Sequence, residues 1–103
     1  MIAVMKQQRD PYAPSSEDAV QTQTARAREL VADVASSRNG REFLALVLDI
    51  SQMNVSSFSP NALTMAFNEG RRSVGLSVAS LIDHDTYQVM LKEAYERRKQ
   101  QRN

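Results

Sequence analysis

The chain has 103 residues, a formal net charge of +1 and no cysteine, with 42% apolar and 24% charged residues. That length bounds it to one domain with a modest core. The near-balanced charge gives no field to steer the whole molecule to nucleic acid or membrane, and the missing cysteine excludes disulfides and thiolate metal sites.

No apolar run reaches the roughly 18–20 residues that span a bilayer. The apolar start, Met1 to Met5, is followed by Lys6 and Arg9, the wrong charge order for a signal peptide. The expected location is a cytoplasm or a particle assembled there. Pro11 and Pro14 flank Tyr12 and lead into Ser15 and Ser16, so residues 1–16 read as an extended arm and residues 17–103 as one helical domain.

The first helix starts at Ser16 or Glu17, with Ser16 as cap and Glu17 and Asp18 at the positive end of the dipole. Its stripe (Val20, Thr24, Ala27, Val31, Val34) is thin, and Gly40 is expected to terminate the segment. The second helix runs from residue 40 or 41 to 52. Phe43, Leu44, Leu46, Val47, Leu48 and Ile50 leave it little polar face, so it should lie inside a bundle or against a second chain. Phe58, in the polar loop that follows, is expected to fold back onto the core.

The third helix, about 61–82, is capped by Ser59 or Asn61 and carries the best apolar stripe: Leu63, Phe67, Gly70, Val74, Val78 and Leu81. Two of the chain's three glycines lie in its interior, where each costs about 1 kcal/mol against alanine. Gly70 therefore reads as a close helix crossing. Gly75, about 140° further round, would serve a different neighbour. Glu69 and Arg72 are spaced to pair. Arg71 and Arg72 read as plain surface charge, as an anion-binding fork, or as contacts across a subunit interface. Phe67, Gly70, Arg71, Arg72, Val74 and Gly75 form the candidate interface. The fourth helix, capped by Asp85, buries Tyr87, Met90, Leu91, Ala94 and Tyr95 and ends in a basic run.

Catalytic chemistry has little to stand on: one histidine, no cysteine and no carboxylate pair in an apolar setting. Asp83, His84 and Asp85 are ligand types but, being adjacent, do not face one metal site; they read as a helix junction. No enzyme activity, metal or cofactor is expected. Arg97, Arg98, Lys99 and Arg102 could give a salt-sensitive, sequence-independent contact with nucleic acid, or could simply complement the helix dipole.

Several segments carry a resemblance. They are Arg41-Glu42-Phe43-Leu44, the Phe58 loop, Met65 through Leu76 with its Phe-x-Glu-Gly-Arg-Arg-x-x-Gly pattern, and Tyr87-x-x-Met90-x-x-Glu93. Together, over about residues 38–95, they resemble a small helical domain of short-tailed phages of the Bordetella-phage type. Ala45-Leu46-Val47 departs from it, where the family's helix often carries tryptophan or a second aromatic. The resemblance implies a phage gene placed among packaging and virion-assembly genes, and no enzyme. The expectation is an all-α bundle of about four helices with an extended N-terminal arm. It would be a structural, homo-oligomeric part of the virion, packed against portal, neck or internal head proteins, with the arm docked on a neighbour. The rival reading is a small DNA-binding module for packaging or ejection. A host-directed adaptor made early in infection is a third.

Overall fold

The computed structural model describes residues 16–102, so the expected arm lies outside the described residues apart from Ser16. Four helices follow in chain order: α1 (Ser16–Val34), α2 (Arg38–Ser51), α3 (Ala62–Ser80) and α4 (His84–Arg102). No strand occurs among the described residues. The all-α, four-helix expectation holds.

The helix ends follow from local chemistry. Ser37 caps α2 in an extended conformation, and its side chain accepts from the Gly40 N–H at 3.0 Å. Asn61 caps α3 in the same way, accepting from the Thr64 N–H at 2.9 Å. At the start of α4 the residue ahead of the first turn is Asp83, whose carbonyl accepts from the Tyr87 N–H at 2.9 Å. Asp85 sits inside that turn, where its charge faces the positive end of the dipole, rather than at the expected cap position.

Gly40 does not terminate α1. That helix stops at Val34, the chain turns through Ala35 to Ser37, and Gly40 is the third residue of α2. A Cβ on Gly40 would collide with the Val34 carbonyl, whose carbon would lie 2.7 Å away. The glycine is there because the start of α2 turns tightly against the end of α1.

The hub of the architecture is α2, which packs on α1, α3 and α4, while no other pair of these helices meets. Leu44 and Leu48 of α2 are buried, joined by Ala35, Ile82, Met90 and Met53 just beyond the end of α2, with Val31, Val78, Ala79 and Tyr87 at the edge. The result is open and thin. In its thinnest direction the Cα trace spans 16 Å, room for two helices packed face to face and no more.

A layer this thin leaves much apolar surface outside. No large side chain among the described residues is fully buried. Phe43, Leu46 and Ile50 of α2 are exposed, so the helix is central yet not enclosed. Phe58 is 75% exposed and does not fold back; what returns to α3 is the backbone and polar side chains beside it. On α4 the expected apolar side is only partly inside. Met90 is buried, Tyr87 and Ala94 are half-buried, and Leu91 and Tyr95 face outward because no second layer covers them.

Candidate interaction surface

The glycine–arginine helix meets α2 along Asn68, Arg71, Gly75, Val78 and Ala79, residues that recur every three or four positions and line one face of α3. Gly75 is the crossing point. It is buried, and a Cβ placed on it would lie 2.5 Å from the Cβ of Ser51 and 3.1 Å from that of Met53. Ser51 is itself buried, and its hydroxyl donates to the Leu48 carbonyl at 2.6 Å. Two helix backbones approach this closely only because one residue lacks a side chain.

The two arginines that follow Gly70 have partners within the chain. Arg71 donates through Nη2 to Oε1 of Gln52 at 2.6 Å and lies over the Phe67 ring, 5.2 Å from its centroid. Gln52 is the C-cap of α2, and at φ 53° it is the only non-glycine residue with positive φ among those described. Its side chain is thus anchored where its backbone is least favourable. Arg72 pairs with Glu69 at 3.0 Å, and Glu69 accepts from the Ser57 hydroxyl at 3.2 Å. Asn68 adds a long bond, 3.5 Å, to the Ser57 carbonyl. These contacts hold the 52–61 loop against α3.

The six candidate interface residues therefore divide. Gly75, Arg71 and Arg72 turn toward their own chain. Phe67 (66% exposed), Gly70 and Val74 (60% exposed) turn away from it, in line with Leu63 (83% exposed). A Cβ on Gly70 would meet nothing within 4 Å. Of the stripe that sequence periodicity marks as the packed face of α3, the part from Leu63 to Val74 is open, and only Val78 and Leu81 are half-buried.

One organising contact is absent from the sequence reading. Arg41 donates from Nε and Nη2 to the two carboxylate oxygens of Glu93, at 3.0 and 2.9 Å, and from Nη1 to the Ala35 carbonyl at 3.0 Å. One guanidinium thus ties the end of α1, the start of α2 and the middle of α4. Glu93 is buried, 7% exposed. The hydrogen bonds from Arg41 hold its carboxyl below the usual range. Desolvation opposes them, and the charges of Arg41, Arg38 and Arg97 assist. The same bonds raise the Arg41 guanidinium above its ordinary value. A signal for this pair does exist in the sequence. Glu93 falls three residues after Met90, on the apolar face of α4, and a carboxylate there requires a buried partner.

At its far end α4 carries Arg97, Arg98, Lys99 and Arg102. Arg97 is partly covered and lies 3.9 Å from Glu42 of α2, while Arg98, Lys99 and Arg102 are exposed. The structure does not bring this basic end together with the Gly70 surface. Asp83, His84 and Asp85 are exposed at the junction, and no group of three metal-ligand side chains occurs among the described residues. No described helix is long and apolar enough to cross a membrane.

The contacts that build the layer fall on the sequence patterns that carry the phage resemblance: Arg41, Glu69, Arg71, Arg72, Gly75, Met90 and Glu93. The family model for Bbp19-like phage proteins matches residues 31–96. The chain belongs to the Bbp19-like phage protein family. No curated protein and no solved structure gives a significant match. The matched span of this Bbp19-like chain begins where α1 first touches the core, at Val31, and ends just before the basic run. Residues 16–30 of α1, with Val20 and Leu30 exposed, lie outside both the core and the match.

Proposed function

We propose that this Bbp19-like protein is a non-enzymatic structural component of a short-tailed phage particle. It assembles by helix packing at the portal and neck or inside the head. The observation that carries the reading is the outward apolar surface of a chain from a phage family. Phe43, Leu46 and Ile50 of α2, with Leu63, Phe67 and Val74 of α3, are all exposed on helices the chain itself packs on one side only. Contiguous apolar surface on a helix marks a face that another protein covers. A layer 16 Å thick has a core too small to need so many large side chains for its own folding.

The test is mass spectrometry of purified particles. The protein should be found there at several copies per particle, and its absence from intact particles overturns the reading.

A DNA-contacting role has its own support in the exposed Arg98, Lys99 and Arg102 at the free end of α4. If these three bind phosphates, duplex affinity should fall about 40-fold between about 50 and 200 mM salt, the slope expected for three released counterions. Undetectable binding at low salt overturns this second role and leaves the first intact.

A further inference from the structure

We infer that the outward stripe of α3 is the contact surface for a second copy of the same helix, crossing antiparallel about a two-fold axis at Gly70. This rests on the assembly reading above and names its partner.

Four observations support a self-complementary contact. First, Leu63, Phe67, Gly70, Val74 and Ser77 are spaced 4, 3, 4 and 3 residues apart, a seam that lies along one side of a helix, and all five are exposed. Second, side-chain sizes are arranged so that the seam fits its own inverted copy. About an axis at Gly70, Phe67 meets Val74 of the second copy and Leu63 meets Ser77, large against small, with glycine opposite glycine where the helices are closest. A parallel pairing would instead stack Phe67 on Phe67 next to an empty glycine layer.

Third, the charges beside the contact are already satisfied. The charged residues of α3 are Glu69, Arg71 and Arg72; each has a partner within its own chain, and Arg71, which covers one side of the Phe67 ring, is held there by Gln52. Fourth, the area is that of a modest dimer. Leu63, Phe67 and Val74 from both copies supply roughly 400–700 Å² at about 60–120 Å² apiece. The small residues between them add little, so the total stays below the roughly 1,200 Å² at which stable specific interfaces begin, and the contact belongs to the weak, reversible class. An isologous contact of this kind closes on itself.

The seam also accounts for Gly70, whose helix-propensity cost nothing among the described residues requires. In the antiparallel crossing the missing Cβ lets the two backbones approach.

The experiment uses the full chain in sedimentation velocity from about 1 to 200 µM. The wild type should pass from monomer to dimer across that range. Gly70→Leu, whose side chain meets open space in the single chain, should keep its helical circular dichroism and weaken dimerisation by roughly tenfold or more. Orientation is read by oxidative cross-linking, on a chain that has no cysteine of its own. Leu63→Cys chains mixed with Ser77→Cys chains should cross-link. Leu63→Cys alone should not, since the two sites would lie about 21 Å apart along the axis.

A wild type that stays monomeric at 200 µM overturns the inference. So does an assembly indifferent to Gly70→Leu, or a ready Leu63→Cys homodimer. The two readings fail separately. A monomer found in particles removes this contact alone, and a dimer absent from particles removes the virion role alone.

Discussion

Gly75→Ala should lower the melting temperature, while Gly70→Ala, five residues away in the same helix, should raise it. Both changes gain about 1 kcal/mol of helix propensity. At Gly70 nothing opposes that gain, because the new methyl meets no atom within 4 Å. At Gly75 the methyl would collide with Ser51 and crowd Met53. Ser51 cannot yield by rotating its hydroxyl alone, since its Cβ, fixed to the α2 backbone, would itself lie 2.5 Å from the new carbon. The helices must separate. Overpacking of this kind costs about 1–3 kcal/mol, so the net loss is up to about 2 kcal/mol. For a domain of this length that is a fall of up to roughly 8–16 °C. Gly70→Ala should give a rise of roughly 4–8 °C at protein concentrations low enough to keep the chain monomeric.

A double-mutant cycle tests the cause. Ser51→Gly removes the obstructing carbon, so it should recover much of the loss at Gly75→Ala even though it weakens the end of α2 by itself. Equal melting temperatures for the two alanine variants would show that the crossing at Gly75 is looser than the structure has it.

How much of this was legible in the sequence differs from element to element. Helix number and approximate span were readable because each helix has its own period; Asn61 and the Glu69–Arg72 spacing lie where local rules put them, while Ser16 is the first residue of α1 and not its cap. The faces were less readable. Periodicity finds an apolar stripe on α3 but does not say what covers it; its first part, Leu63 to Val74, is uncovered, while Val78 and Leu81 at its end are half-buried. Gly75 and Ala79 lie on the less apolar side that α2 covers, because a close crossing selects small residues over large. Phe58 was misplaced for a related reason. Folding a loop phenylalanine inward needs a core deep enough to receive it, and no large side chain among the described residues is fully buried. Gly40 shows a limit of local signals, since a glycine between two helices reads equally as the end of one or the tight start of the next. The family resemblance was legible, and it lies on residues that hold the helices together.

Glu93→Gln should cost more stability than any other single charge removal in the described region, and it should flatten the acid limb of the stability curve. Glu93 accepts two bonds from Arg41 while nearly buried, so the substitution leaves a guanidinium, already tied to Ala35, without its counter-charge. The melting temperature should fall by several degrees. Glu29→Gln and Glu69→Gln, which break exposed i,i+3 pairs, should barely move it. The pH dependence has a definite sign. The folded-state pKa of Glu93 is depressed, chiefly by the Arg41 hydrogen bonds. Its contribution is therefore fully present above the unfolded glutamate value of about 4.3 and is lost as pH falls through the lower folded value. Wild-type melting temperature should thus drop steeply below about pH 4.5, and the Glu93→Gln curve should be lower at neutral pH and converge on it in acid. Parallel curves would mean that the pair is not linked to folding. Convergence would place the tie between α1, α2 and α4 at this one carboxylate, the contact that keeps the helices in register while their outer faces stay uncovered.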